Sequence, residues 1–110
     1  MKLFTTFHLN LSFSSIEEED QKVIIEKCYW PLLSLCDIDG VKIGIEMSGH
    51  TAERINQLEG SWIDKLKALS KEGRVEFVGS GYEQIISPLV PYKVNYMNQE
   101  LGIESYQKTL

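Results

Sequence analysis

The sequence predicts an α/β fold of parallel strands, because strand and helix patterns alternate three times along its 110 residues. Successive strand patterns begin roughly 35 residues apart, the length of one unit in a β/α barrel, and a closed barrel would need about 250 residues. The last helical pattern runs to Leu110 without a Gly or Pro stop signal. We therefore expect residues 1–110 to be one domain, the first three βα units of a larger TIM-like barrel. The alternative is a complete small three-layer α/β domain.

The first unit begins with a strand pattern over Lys2 to Asn10, which is rich in Phe, Thr and Leu. A helix is expected next, since Ser14 and Ser15 can cap it and the acidic run Glu17 to Asp20 suits the positive end of a helix dipole. Because proline lacks an amide hydrogen, we expect an interruption near Pro31.

In the second unit, Val41 to Met47 alternates apolar with other residues, which is typical of a strand. Thr51 can cap the helix that follows, and Ser61 opens another helix, which ends at Gly73. An apolar stripe at helical spacing places Trp62 in the core rather than in a sugar site; the stripe consists of Leu58, Trp62, Leu66 and Leu69.

The third unit has a short strand pattern at Val75 to Val78, followed by a turn at Gly79-Ser80-Gly81. The turn lacks the lysine and the spacing of a phosphate-binding loop, so we expect a close turn only. An irregular connection containing Pro88 and Pro91 leads to a helix over Val94 to Leu110.

Composition and charge exclude several classes of protein. The formal net charge is -5 with no basic cluster, which argues against nucleic-acid binding. The apolar runs are far shorter than the roughly 20 residues of a membrane span, and the N-terminus lacks the pattern of a signal peptide. We therefore expect a cytoplasmic protein. Cys28 and Cys36 would lie about 12 Å apart along one helix, too far for a disulfide, so both are expected as reduced, buried thiols.

Alternation of side chains along the strands predicts a polar site. Because successive strand residues face opposite sides of a sheet, one face collects polar side chains from all three strands. In parallel α/β folds the carboxyl ends of the strands bind ligands, and most of these residues lie near those ends. The set consists of His8, Asn10, Glu46, Ser48 and Glu76.

Two aromatic or basic residues lie just beyond these strands. Tyr82 follows the glycine turn and is a candidate to face a ligand, whereas His50 follows the second strand and suits a capping or surface role better than chemistry. Each polar residue taken singly also has a structural explanation, such as a solvated carboxylate or a hydrogen-bonded histidine. Their joint placement favours a site.

The segment from Gly73 to Pro91 resembles the second motif region of glycoside hydrolase family 57, where a third strand ends in a glycine turn followed by an aromatic-Glu pair. Phe7-His8-Leu9-Asn10 resembles the opening strand of the family, and its second unit is similar to Ile45 to Thr51 and Trp62 to Asp64. The resemblance implies an incomplete (β/α)7 barrel with retaining chemistry on α-glucans or related saccharides. It also implies that His8 and Glu83 line the sugar site.

The sequence departs from the family pattern at two places, which suggests a divergent subgroup. Leu9-Asn10 stands where the family has Gln-Pro, and Gln84 stands where a proline usually follows the Glu. The family's nucleophilic Glu and acid/base Asp lie on later strands, so no catalytic residue is expected in this chain. The related barrel deacetylases bind metal through an early Asp pair and a His-x-x-x-His motif. Here His8 and His50 stand far apart, so we expect no metal and no cofactor.

Two functions follow from these observations. The first is the N-terminal part of a family-57-like glycoside hydrolase or glucanotransferase, inactive as an isolated chain, whose substrate-binding residues are His8, Asn10, Glu46, Glu76, Tyr82 and Glu83. The second is a self-contained α/β ligand-binding or interaction module without catalysis. In either case the partner is a saccharide or small polar ligand, and homo-oligomers are expected through exposed barrel edges.

Overall fold

A computed structural model of the chain describes residues 1–12 and 15–110 and contains one three-stranded parallel sheet. The strands follow one another across the sheet in chain order, as β1 (Thr6–Leu9), β2 (Ile43–Met47) and β3 (Val75–Gly79). Each connection between parallel neighbours passes through helices, which is the predicted βα arrangement. The first two strands are shorter than their sequence patterns, since pairing begins only at Thr6 and Ile43.

Helices cover the connections between strands and follow the last strand. The α-helices are α1 (Gln21–Ile24), α2 (Trp30–Ser34), α3 (Gly49–Leu58), α4 (Gly60–Lys71) and α5 (Tyr92–Thr109). Short 3-10 turns occupy Glu18–Asp20, Leu35–Asp37 and Ser87–Leu89.

The first helical region is interrupted just before Pro31, in agreement with the predicted break. A π turn, Ile25–Tyr29, joins α1 to α2, and the Trp30 amide donates to the Ile25 carbonyl five residues earlier. Because Tyr29 and Trp30 keep helical backbone angles, Pro31 lies inside a continuous helical segment, and its missing amide hydrogen removes one hydrogen bond there. Of the two expected capping residues, Ser14 lies outside the described residues. The helical region instead begins at Glu18 after the extended residue Glu17, whose side chain makes no cap.

The caps of α3 and α4 also differ from the prediction. Ser48, not Thr51, caps α3, and its hydroxyl accepts a hydrogen bond from the Thr51 amide at 3.2 Å. Thr51 is instead buried within the first turn. Helix α4 starts at Gly60 without a side-chain cap, and the chain leaves it through Gly73 at a φ of 69°.

The core lies between one face of the sheet and the helices α1 to α4. The apolar residues of the strands that face it include Leu9, Ile43, Ile45, Met47 and Val75. Trp62, Leu66 and Leu69 are buried against them as predicted, and Leu58 is partly buried. Cys36 also belongs to the core, but the expectation that Cys28 is buried is wrong: it lies on the outer side of the π turn. Both cysteines are free thiols.

Helix α5 packs through small and polar residues rather than large apolar ones. Its buried side consists of Asn98, Gly102, Ser105 and Thr109, at helical spacing. At Gly102 the helix meets the turn after β3 so closely that an added Cβ would lie 2.6 Å from the Gly81 backbone. This contact places the β3 turn against the start of α3. None of the helices within the described residues is long and apolar enough to cross a membrane.

Candidate functional site

The sheet face opposite the core carries a polar pair at the centre of the carboxyl-terminal end. His8 and Glu46 are direct neighbours in the register of β1 and β2. The His8 Nδ1 atom makes a hydrogen-bonding contact with the Glu46 Oε2 atom. The His8 side chain is 45% exposed and that of Glu46 is 18% exposed, so the ring is accessible while the carboxylate lies beneath it.

Gln84 and Asn10 extend this pair across the loops that follow β3 and β1. The Gln84 amide nitrogen lies 2.7 Å from His8 Nε2, and its oxygen accepts from the Asn10 amide at 2.8 Å. The Asn10 oxygen in turn accepts from the Ser12 backbone N–H at 3.0 Å. A continuous hydrogen-bonded chain therefore runs from Ser12 to Glu46, and we call it the polar chain.

A second group of side chains surrounds His50 at the start of α3. The Ser12 hydroxyl lies 2.5 Å from His50 Nδ1, which joins this group to the polar chain. The nearest oxygen of Glu83 is 3.9 Å from the same nitrogen. The Tyr82 ring meets the imidazole edge to face, with ring centres 5.9 Å apart.

Glu83 is held through its backbone rather than its side chain. The Asn98 side-chain amide accepts from the Glu83 N–H at 2.8 Å and donates to the Glu83 carbonyl at 3.0 Å. The Glu83 Oε2 atom is buried and has no hydrogen-bond partner among the described residues. A buried acceptor without a partner costs free energy, whereas the Glu83 side chain as a whole is 35% exposed and can meet a ligand through its accessible part.

Tyr82 faces α3. Its hydroxyl donates to Glu53 at 3.1 Å. Burial raises the pKa of Tyr82, and the Glu53 carboxylate beside it raises the pKa further because a negative charge disfavours the phenolate. Tyr82 is thus a neutral donor to Glu53, and its ring contacts the His50 imidazole.

The remaining expected site residues lie apart from these contacts. Glu76 is on the same sheet face but pairs in register with Gly44, one row closer to the amino ends of the strands, and is exposed. Ser48, expected on the polar face, is buried as the α3 cap. No three His, Cys, Asp or Glu side chains in the described part of the chain are grouped as a metal site would require.

Sequence reasoning missed three residues that the structure brings to the site. Ser12 connects the two groups, Gln84 bridges His8 and Asn10, and Asn98 holds Glu83. Of these, only Gln84 could have been noticed in the sequence, because it stands where the family pattern usually has a proline. The contacts of Ser12 and Asn98 depend on loop shape and helix docking, which have no local signature.

Parallel βα units in sequential order, with a polar site at the carboxyl ends of the strands, are typical of α/β barrels. The chain belongs to glycosyl hydrolase family 57, whose model matches residues 5–110. This match confirms the resemblance found in the motifs.

Similar proteins agree with the family assignment. The chain is 36% identical over 67 residues to an alpha-amylase of Pyrococcus furiosus and 34% identical over 67 residues to one of Pyrococcus horikoshii. These segments cover 60% of this chain but only 10% and 11% of the relatives, so the chain spans about a tenth of their length.

A solved structure has the same fold. The crystal structure of 4-alpha-glucanotransferase from Thermococcus litoralis superposes with a TM-score of 0.81 at 18% identity, over 96% of this chain and 17% of that one. The predicted fold class is therefore confirmed: parallel βα units with the architecture of part of an incomplete (β/α)7 barrel.

Proposed function

We propose that the chain supplies part of the saccharide site of a family 57 enzyme that acts on α-glucans, as a hydrolase or a glucanotransferase. The observation that carries this proposal is the family match over 5–110, together with the polar side chains at the carboxyl ends of the strands. The names of the matched relatives, alpha-amylase and 4-alpha-glucanotransferase, support an α-glucan as the substrate class.

Within this site, His8 and Glu83 are proposed to contact the sugar directly. Both side chains are partly exposed, and both can accept hydrogen bonds from saccharide hydroxyls, His8 once Gln84 is displaced from its Nε2 atom. Asn10 and Glu46 fix His8 through the polar chain. Tyr82 and Glu76 complete the proposed binding surface. Tyr82 lies on the side of α3, and Glu76 lies one row closer to the amino ends of the strands.

The chain alone is proposed to lack turnover. Retaining chemistry needs a nucleophilic carboxylate and an acid/base carboxyl roughly 5 to 5.5 Å apart. The resemblance to the family places both of these groups on later strands, and in the site described above Glu46 pairs with His8 and Glu83 lies near His50. We therefore expect no release of reducing sugar from amylose by the purified 110-residue chain. Sustained hydrolysis by an uncontaminated preparation would contradict this.

The site assignment is tested by binding. We expect maltoheptaose, added to the isotopically labelled chain, to shift the NMR signals of His8 and Glu83. His8→Ala and Glu83→Gln should each weaken binding by about 1 to 3 kcal/mol, because a hydrogen-bond partner is lost, with little change in stability. Trp62→Ala is the contrast: it should cost about 3 to 5 kcal/mol of folding stability through the cavity it leaves.

The control for this experiment is Glu104→Gln, which removes an exposed charge on α5 away from the site. It should leave both binding and stability unchanged. If His8→Ala, Glu83→Gln and Trp62→Ala lowered the thermal midpoint equally while the remaining folded chains bound maltoheptaose normally, the polar residues would be packing elements.

We also propose that the isolated chain associates with itself. The support is the exposed apolar side chains of α5 and the unpaired outer sides of β1 and β3 in the described sheet.

A further inference from the structure

The polar chain has two ends whose hydrogen-bonding roles are fixed. The Ser12 backbone N–H can only donate, and an ionised Glu46 carboxylate can only accept. Between them lie Asn10, Gln84 and His8, each of which can present either a donor or an acceptor. The fixed ends decide how each of these is oriented.

From the Ser12 end, the orientation follows link by link. Because the Asn10 oxygen takes the Ser12 N–H, its amide nitrogen faces Gln84 at 2.8 Å and donates to the Gln84 oxygen. The Gln84 nitrogen is then left to face His8 Nε2 at 2.7 Å. Since that nitrogen only donates, His8 Nε2 accepts and carries no proton.

From the Glu46 end, the same answer is reached independently. The carboxylate oxygen contacts His8 Nδ1, so the imidazole proton lies on Nδ1 and is donated to Glu46. All four hydrogen bonds therefore run in one direction, from Ser12 to Glu46. A chain of this kind is mutually polarised, which strengthens each bond.

A proton on His8 Nε2 instead of Nδ1 would reverse the polar chain and break the hydrogen bond from the Ser12 backbone N–H. A proton on His8 Nε2 would need the Gln84 oxygen opposite it, and Gln84 would then turn its nitrogen toward Asn10. Asn10 would in turn have to present its oxygen to Gln84. The Ser12 N–H would then lose its acceptor.

We infer that Asn10 and Gln84 are positioning residues that hold His8 as the neutral tautomer with its proton on Nδ1. The inference deepens the proposed function and rests on it for the ligand only. Its consequence is chemical: His8 offers a lone pair at Nε2, so a saccharide hydroxyl that replaces Gln84 there must donate its hydrogen. An O-methylated saccharide cannot do so.

The test is the ring nitrogen signals of His8 in the ligand-free 110-residue chain, by two-dimensional NMR of long-range nitrogen-hydrogen couplings at mildly alkaline pH. We expect a protonated-type Nδ1 signal and an unprotonated-type Nε2 signal. Asn10→Ala and Gln84→Ala should each move both signals only part of the way toward an averaged position, because the Glu46 contact still favours the proton on Nδ1. Because Asn10 and Gln84 act through one polar chain, the double variant should move the two His8 nitrogen signals no further than Gln84→Ala alone does.

Gln107→Ala, an exposed glutamine near the end of α5, is the matched control and should leave the pattern unchanged. A His8 proton found on Nε2 in the unaltered chain, or signals that ignore both substitutions while the amide spectrum shows a folded protein, would overturn the inference. The measurement needs no sugar, so a failure of maltoheptaose binding would count against the proposed function and not against the tautomer.

In a second arm, O-methylated maltoheptaose should fail to move the His8 signals at concentrations where maltoheptaose moves them. Equal effects of both saccharides would overturn the assigned donor direction at Nε2.

Discussion

Tyr29 is a titratable residue placed in the core. It is 7% exposed, at the end of the π turn, and its ring centre lies 6.1 Å from that of Trp62 in α4. Burial raises the pKa of Tyr29 to about 12, with a hydrogen bond from the Asn10 backbone acting in the opposite direction and the Cys28 charge adding to the rise. The phenol therefore stays neutral in the folded chain at pH values where an unfolded chain ionises it.

This difference makes stability fall at alkaline pH. Above the ordinary tyrosine pKa of 10.0 the unfolded chain releases the Tyr29 proton, while the folded chain retains it up to a pKa of about 12. The contribution is complete below the unfolded pKa and is lost as pH rises through the folded pKa. We expect urea midpoints measured from about pH 8 to about pH 11 to fall less steeply for Tyr29→Phe than for the unaltered chain. Tyr92→Phe, at an exposed tyrosine, should follow the unaltered chain, and parallel curves for all three would contradict the assignment.

At the scale of elements, α5 is positioned by close approach rather than by apolar side chains. Gly102 lets the helix backbone touch the Gly81 turn, and the Ser105 hydroxyl donates to the Gly49 carbonyl at 3.1 Å. Tyr106 adds a hydroxyl that lies 2.7 Å from the Met47 carbonyl and accepts from the Ser80 amide at 3.0 Å. These contacts connect α5 to the carboxyl ends of β2 and β3.

Gly102→Ala should therefore destabilise the protein even though alanine favours a helix. The new Cβ would meet Gly81 backbone atoms at 2.6 Å, and backbone cannot move aside as a side chain can. We expect a net loss of about 1 to 3 kcal/mol in urea unfolding, the usual cost of overpacking. Gly60→Ala, at the start of α4, is the control, because its Cβ would meet only the Asn56 side chain at 3.6 Å. Equal effects of the two substitutions would show that α5 can move away.

Local patterns were sufficient to predict which elements form and in what order. Alternation in Ile43, Ile45 and Met47 gave β2 its buried face, and the same parity placed His8 beside Glu46 once the strands were parallel. Caps and bounds were less predictable: a serine before α3 and a threonine inside it are both good caps, and only the backbone geometry selects Ser48.

The rest of the site was beyond local reasoning because its contacts join distant parts of the chain. Gln84 is separated from His8 by 76 positions, and its place depends on the path of the turn after Gly81. Asn98 reaches Glu83 only because α5 folds back over that turn. No periodicity within either segment records such a contact.

At the scale of the whole molecule, α5 exposes large apolar side chains on two of its sides. Tyr92, Tyr96 and Ile103 lie on one side, and Val94, Met97 and Leu101 lie on another. At 100° per residue, Glu100 and Glu104 lie between these two groups on the exposed side of the helix.

We expect the isolated chain to form dimers or larger assemblies, measured by light scattering after size exclusion. Leu101→Lys should shift the equilibrium toward monomer, since a charge in an apolar contact is costly to bury. Gln107→Lys adds the same charge at a polar exposed position and should leave the assembly unchanged. A monodisperse monomer at high concentration would contradict self-association.

The π turn sets the length of the first connection. Its i to i-5 hydrogen bond holds one residue more than an α-helical turn would, and Ile25 at its start and Leu33 in α2 are both fully buried. Deleting one residue from Ile25–Tyr29 would restore the α-helical repeat and leave the residues that follow facing nearly the same way, because a π turn fits five residues into about the angle that four residues cover in an α-helix. Leu33 and Cys36 would then still face the core. One-residue differences in length among related chains should for this reason be tolerated in this segment, whereas the same deletion within α2 would rotate the residues after it by about 100°.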